Sequence, residues 1–173
     1  MVIVATLAAT VGLALGGLLT WARAGWVLVT VDGWSMVPTI DPGDRVLVRR
    51  VPHSKVLVGQ VVVAEKPIDG EWSTSPLTVG SPPPAGRRWI VKRAVAGPGD
   101  PMPPGVRLKR DDGTGSVHPP EAAEGDGARV PPGHFVLLGD NRQDSLDSRV
   151  FGVVPGDRIL GPVRRALSSG GSF

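Results

Sequence analysis

Three separated segments of the chain carry side chains that could do chemistry together. Ser35 stands three residues before Pro38, Lys92 interrupts an apolar run, and a cluster of small polar and charged side chains spans 139–149. A serine hydroxyl is a weak nucleophile unless a base removes its proton, and a lysine amine is such a base only when burial leaves it neutral. The three segments therefore predict a serine nucleophile with a lysine base, provided that the fold buries Lys92.

The surroundings of Ser35 indicate a rigid loop between two strands. Gly33 precedes the serine and Pro38 stiffens the chain after it. The ordinary alternative is a serine that caps backbone groups in a turn. The nucleophile elbow of the α/β-hydrolases is excluded, because its second glycine is replaced here by Val37.

Strand alternation predicts that Lys92 points inward. In an extended stretch it shares a face with Ile90 and Ala94, opposite Val91 and Arg93. The alternative is a lysine on an edge strand that keeps its ammonium group in water.

The polar cluster at 139–149 follows an apolar, strand-like run and predicts a buried hydrogen-bonded network. Asp147 can pair with Arg149 or Arg142, while Ser145 can orient an amine. A solvated polar loop is the alternative. A calcium loop is not indicated, because the aspartate spacing lacks the terminal glutamate.

An apolar segment precedes these residues. Residues 1–22 carry no charged side chain, and as a helix rising about 1.5 Å per residue they would cross a hydrocarbon core of roughly 30 Å. We expect a single-pass transmembrane anchor. A cleavable signal peptide is the alternative, although the segment has no basic start. Arg23 alone would place the end of this helix in the cytoplasm, which is thin support for a topology.

The remaining chain predicts one mainly β domain, 27–165, built from short antiparallel strands. The 173 residues include 24 Gly and 18 Pro but no Tyr, which favours a turn-rich β architecture. Turn-forming Asp41-Pro42-Gly43-Asp44 separates the first two strands. Excursions rich in Pro and Gly span 66–87 and 98–132, and a flexible tail spans 166–173. The predicted strands are 27–31, 45–48, 60–64, 88–95, 134–138 and 158–160.

Composition argues against several other classes of function. The chain has no cysteine, so disulfides and thiolate metal sites are excluded. Its three histidines, His53, His118 and His134, are too scattered to indicate a metal site, and we expect no cofactor. The net charge of +3 is spread along the chain, so nucleic acid is not an expected partner.

The three segments, in this order, resemble the type I signal peptidases, the Ser/Lys serine proteases of the bacterial membrane. The resemblance lies in Gly-x-Ser-Met-x-Pro-Thr at 33–39, in Lys-Arg-Ala-Val-x-Gly-Pro-Gly-Asp at 92–100, and in Gly-Asp-Asn-Arg-x-x-Ser-x-Asp-Ser-Arg at 139–149. It implies Ser35 as the nucleophile and Lys92 as the general base. It further implies that Ser145 positions the lysine amine and that Asp147 and Arg149 form a supporting salt bridge.

The resemblance also implies a mostly β catalytic domain outside the cytoplasm, with Met36 packed near the nucleophile. This topology overrides the weak charge argument from Arg23. Where some members have a second serine that donates to the oxyanion, this chain has Gly33, so the backbone N–H of Ser35 would have to serve.

The predicted function is that of a membrane-bound serine endopeptidase that removes signal peptides from exported pre-proteins and cuts after small residues. Its partners would be these pre-proteins and the lipid bilayer, with the oligomeric state open. One alternative is a maturation peptidase dedicated to a single substrate, such as a nickel superoxide dismutase precursor. Another is a membrane-tethered β module that binds peptides without cutting them. The self-cleaving Ser/Lys repressors fit less well, because they carry a DNA-binding domain where this chain has an apolar segment.

Overall fold

The computed structural model describes residues 25–68, 71–73, 75–79, 81, 85–106 and 128–168. Short 3-10 turns at Trp34–Met36, His53–Lys55 and Gly156–Arg158 join several of its strands. The strands and the single short helix of this part of the chain are β1 (Trp26–Thr30), β2 (Arg45–Arg49), β3 (Val61–Glu65), β4 (Trp89–Ala96), β5 (His134–Leu138), α1 (Ser148–Phe151), β6 (Val154–Pro155) and β7 (Ile159–Leu167).

The seven strands form one antiparallel sheet in the order β1-β2-β7-β3-β4-β5-β6. Runs of valine favour these strands, because β-branched side chains pack well on a pleated surface. The outer strand β1 alternates exposed and half-buried residues, whereas Val62, Val63 and Ala64 in the central strand β3 are all buried. The prediction of a mainly β fold with short antiparallel strands is confirmed.

The six predicted strands begin within one residue of observed ones. The predicted turn at 41–44 is also present, with Gly43 at a φ of 90° that favours glycine. The sequence missed β6, α1 and most of β7. Most of β7 was not predicted because it contains Gly161 and Pro162, and neither residue is typical of a strand. Gly161 is required there, since a Cβ atom would lie 2.0 Å from the carbonyl oxygen of Arg49 in a neighbouring strand.

Two hydrophobic clusters lie on opposite faces of the central strands. Val63 and Val91 belong to the first cluster, which also contains Met36. Val62 and Ala94 belong to the second, which contains Phe135. The alternation predicted around Lys92 is therefore present in β4, with both of its faces packed.

Irregular pairing bends the sheet. The register shifts at Leu47/Val48 between β2 and β7, at Val63/Ala64 between β3 and β7, and at Ala94/Ala96 between β4 and β5. Such bulges bend a strand and increase its twist. One cleft is accordingly lined both by the end of β1 and by the first half of β4.

Some predicted segments lie outside the described residues. They include the proposed anchor at 1–22, most of the excursion at 98–132 and the end of the tail. In the part of the chain that the structure describes, no helix is long and apolar enough to cross a membrane. The described portions of the 66–87 excursion lie against the sheet, where Leu77 N–H donates to the carbonyl of Asp157 at 2.9 Å.

Candidate active site

Ser35 lies on the 3-10 turn that follows β1. Met36 anchors this turn, because its side chain is completely buried in the first hydrophobic cluster. Asn141 holds the turn from the other side: its backbone N–H donates to the carbonyl of Ser35 at 3.0 Å, and its amide donates to the carbonyl of Trp34 at 3.2 Å. The serine is thus fixed between the core and the loop after β5.

Lys92 reaches the serine from β4. Its Nζ lies 2.5 Å from Ser35 Oγ, and only 3% of the lysine is exposed. Burial lowers the pKa of the Lys92 amine to about 8, because an ammonium group is poorly solvated there, although the nearby Asp147 carboxylate opposes the shift. A large fraction of this amine is therefore neutral in mildly alkaline solution.

Asp147 organises the polar cluster behind the lysine. Its carboxylate is fully buried and accepts hydrogen bonds from Arg149 Nη2 at 2.8 Å, Gly139 N–H at 2.9 Å and Ser145 Oγ at 2.6 Å. Burial raises the pKa of the Asp147 carboxyl, but the hydrogen bonds from Arg149, Gly139 and Ser145 outweigh it and lower this pKa to about 2. A permanent negative charge therefore stands close to the Lys92 amine.

Gly139 allows the polar cluster and the Ser35 turn to meet. A Cβ atom at this position would lie 2.1 Å from Ser145 Oγ and 2.6 Å from the carbonyl oxygen of Ser35. Both distances are far below van der Waals contact. No side chain therefore fits between the two segments.

A second ion pair links the loop after β5 to β4, and Thr39, which follows the Ser35 turn, joins it. Arg93 donates to both carboxylate oxygens of Asp140, at 2.8 Å from Nε and 2.6 Å from Nη2, and Thr39 Oγ1 donates to the same carboxylate at 2.5 Å. Such a two-point contact fixes orientation as well as distance. The hydrogen bonds to Arg93 lower the pKa of Asp140, so this carboxylate remains ionised near neutral pH.

A cleft of about 520 Å³ opens beside the serine and the lysine. One wall is the end of β1 and the residues after it, and the other is the first half of β4 with the segment before it. The lining residues are Val29, Thr30, Val31, Asp32, Gly33, Ser35, Lys66, Arg87, Arg88, Trp89, Ile90, Val91 and Lys92. The hydroxyl and the amine therefore face a space that an extended peptide could occupy.

Comparison with known proteins shows which family this chain belongs to. Residues 3–103 and 106–167 match the family model described as signal peptidase, peptidase S26. The chain belongs to this signal peptidase family.

Relatives of the S26 chain come from bacteria and from a plant. It is 31% identical over 138 residues to the probable signal peptidase I-1 of Synechocystis, a match covering 73% of this chain and 63% of that protein. It is 30% identical over 141 residues to the probable thylakoidal processing peptidase 2 of Arabidopsis thaliana, with 76% and 35% covered. Signal peptidase IB of Staphylococcus aureus is 28% identical over 158 residues, with 78% and 73% covered. The S26 chain thus spans less than two thirds of the first two relatives.

The structure brings the predicted site residues together around Ser35 and Lys92. The hydrogen-bond partner of Ser145 differs from the expected one. The hydroxyl of Ser145 donates to Asp147, and no hydrogen bond joins Ser145 to Lys92, both of which the structure describes. The Ser145 hydroxyl thus contacts the carboxylate whose charge acts on the amine. Gly33 lines the cleft and has open space where a Cβ atom would stand.

Sequence reasoning assigned no role to Gly139, Arg93 or Asp140. All three lie within the motifs that resemble those of the signal peptidases, and this position in the motifs was the sign in the sequence that they could have a role. Their contacts with Ser35 and Thr39 join residues far apart in the sequence, so spacing alone could not reveal them. Within the described residues, no group of three or more metal-binding side chains forms a potential metal site.

Proposed function

We propose that this chain is a membrane-bound serine endopeptidase that removes N-terminal signal peptides from exported pre-proteins. Ser35 would be its nucleophile and Lys92 its general base. The observation that carries the proposal is the 2.5 Å approach of Lys92 Nζ to Ser35 Oγ inside the protein. The names of the relatives support the same substrate class.

The protonation state of Lys92 favours this role. With a pKa of about 8, about a tenth of the amine is neutral at pH 7, whereas a lysine in water, with a pKa near 10.4, is neutral in fewer than about one molecule in a thousand. Neutral Nζ takes the proton of Ser35 Oγ as this oxygen attacks the carbonyl carbon of the substrate. The backbone N–H of Ser35 would donate to the oxyanion that forms.

The second half of the reaction returns each group to its starting state. The protonated amine of Lys92 donates its proton to the leaving nitrogen as the peptide C–N bond breaks, which leaves an acyl ester on Ser35 Oγ. The neutral amine then takes a proton from water, the resulting hydroxide attacks the ester, and the serine leaves with the proton. Histidine has no part in this scheme.

Unpaired strand edges offer a place for the substrate. On the edge that faces β5, β4 is paired only from Arg93 onward, so the described strands leave the first half of this edge unpaired. Among the described strands β1 pairs only with β2, so its other edge is also unpaired. An extended peptide that enters the cleft could therefore add backbone hydrogen bonds to both walls. Side chains next to the cut would meet Val31 and Val91, whose close packing suits small substrate residues.

The membrane part of the proposal rests on the sequence of residues 1–22. β1 begins at Trp26, so an anchor there would hold the cleft close to the bilayer surface, with the catalytic domain outside the cytoplasm. Anchoring both enzyme and pre-protein in one bilayer raises their effective concentration.

The test is cleavage of a purified pre-protein by the full chain in detergent. We expect Ser35→Ala and Lys92→Ala each to reduce the rate by at least about a thousandfold, because nucleophile and base act as one unit. Ser54→Ala and Lys55→Ala are matched controls on an exposed turn outside the cleft, and both should cut normally. Cleavage by Lys92→Ala at the wild-type rate would refute the assignment. Binding without cutting by the wild type would favour the non-catalytic module.

A panel of unrelated pre-proteins addresses the breadth of specificity. A general signal peptidase should cut several of them after small residues. A dedicated maturation peptidase should cut one and leave the others intact.

A further inference from the structure

Three cations line the cleft, and they differ in their partners. The side chain of Arg87 is buried and forms an ion pair with Glu65 at 2.7 Å. Lys66 is half-buried and Arg88 is exposed. No ion pair or side-chain hydrogen bond joins either of these two to another described residue. Two positive charges of the cleft lining therefore have no ion-pair partner in the described part of the chain.

The backbones of Lys66 and Arg88 lie at a defined distance from that of Lys92. Lys66 N–H donates to the carbonyl of Arg88 at 2.8 Å, so the residues lie opposite each other where β3 and β4 extend into the next segments. Arg88 lies four residues before Lys92, on the same face of the strand. At about 3.3 Å per residue the separation is about 13 Å.

An extended substrate advances at the same rate as the strand beside it. If the residue before the cut lies next to Val91, the fourth residue before the cut lies next to Arg88. Residues one and three positions before the cut point to the side of Val91, and residues two and four point to the opposite side, which Arg88 shares with Lys92. Small side chains would therefore meet Val91 at the first and third positions, and the fourth would meet the two cations.

We propose that Lys66 and Arg88 form a specificity site for an acidic side chain at about the fourth residue before the cleaved bond. The inference rests on the proposed function, because it assumes that the N-terminal side of the substrate occupies this cleft. Charges arranged in this way select among substrates and speed their encounter. Pre-proteins with Asp or Glu at this position would be cut faster than those with Lys or Arg.

The experiment uses three peptides that differ only at the fourth residue before the cut, which is Glu, Gln or Lys. For the wild type at low salt we expect a kcat/KM roughly three- to tenfold higher for Glu than for Gln, a range set by two partly exposed ion pairs. The Lys peptide should be slower still. Raising the salt concentration should reduce these ratios, because exposed charges are screened.

Variants assign the preference to the two residues. The double variant Lys66→Gln with Arg88→Gln should bring the Glu/Lys ratio close to one, and Arg88→Glu should reverse it. Arg165→Gln, an exposed arginine outside the cleft, should keep the wild-type ratio. Because each ratio is taken within one variant, a change in the pKa of Lys92 on loss of the Lys66 charge cancels.

A wild-type ratio of one, or a ratio that survives the double substitution, would overturn the inference. So would a double variant that loses binding to vesicles containing phosphatidylglycerol while its ratio is unchanged, since the cations would then serve lipid head groups.

The proposed function can fail separately. If the wild type cuts none of the peptides, the Kd values of Ser35→Ala for the Glu and Lys peptides still decide the inference. Tighter binding of the Glu peptide supports it, and equal binding contradicts it.

Discussion

The burial of Lys92 affects the stability of the protein as well as its chemistry. The pKa of this amine is about 8 in the folded protein and 10.5 for an unperturbed lysine. Below pH 8 the folded protein must hold a buried ammonium group, which lowers the free energy of unfolding by about 3 kcal/mol. As the pH rises from about 8 to about 10.5 the folded form is neutral, and this penalty disappears.

The variant Lys92→Met lacks this titration. We expect it to be more stable than the wild type at pH 7, and the difference to shrink as the pH approaches 10.5. Urea unfolding at several pH values measures the difference, with Lys55→Met as the exposed control, whose effect should not depend on pH. A stability difference for Lys92→Met that is constant across this range would show that the lysine does not titrate as described.

Gly139 is a second residue whose replacement has a defined consequence. In Gly139→Ala the new methyl group would press on the carbonyl of Ser35, a backbone atom that cannot move without moving the nucleophile. We expect kcat to fall at least about tenfold, because a misplacement of about 1 Å reduces rates strongly. Gly97→Ala is the control, since its nearest contacts would be ordinary at 3.5 Å. Normal kcat in Gly139→Ala would contradict the tight contact.

At the scale of elements, a buried ion pair attaches the 66–87 excursion to the sheet. Glu65 at the end of β3 is 2% exposed and lies 2.7 Å from Arg87 Nη1 and 3.5 Å from Arg158 Nη1. Both arginines also donate to the carbonyl of Ser75, and the backbone N–H and hydroxyl of Ser73 donate to Glu65. One carboxylate therefore joins β3, the excursion and the turn before β7.

Removing this charge should release the excursion. We expect Glu65→Gln to lower the free energy of unfolding by about 3–5 kcal/mol, because it leaves the buried guanidinium group of Arg87 without its carboxylate partner. Limited proteolysis should then cut within 66–87 sooner than in the wild type. Asp41→Asn, at an exposed carboxylate outside the excursion, is the comparison. Equal stability and equal protease resistance of Glu65→Gln and the wild type would show that the pair holds nothing in place.

At the scale of the whole molecule, local patterns predicted much of the fold. Runs of β-branched and other apolar residues located six strands, and the prediction of a mainly β fold and of the signal peptidase family is confirmed. The length of β7 and the ion pairs of Arg93 and Arg87 were missed, because they depend on contacts between distant segments. The anchor at 1–22 and the roles of Ser35 and Lys92 stay predictions.

The same scale explains why the candidate site could be assembled only in part. Ser35 follows β1 and Lys92 lies within β4, and the bent sheet brings Lys92 Nζ within 2.5 Å of Ser35 Oγ. The order of the motifs predicted that Ser35 and Lys92 would act together. The contacts of Gly139 and Asp147 that hold the site depend on close packing, which spacing in the sequence does not reveal. The hydroxyl of Ser145 donates to Asp147, and its expected role in positioning the amine stays a prediction.

The pH dependence of kcat/KM for a signal-peptide substrate is the decisive test of Lys92 as the general base, because only the neutral amine can accept the proton of Ser35. Since protonation disables the base, activity should be low below pH 7 and should rise tenfold per pH unit before levelling off, with a midpoint near pH 8. A rate that is constant from pH 6 to pH 9 would contradict it. A midpoint at the ordinary lysine pKa would do so as well.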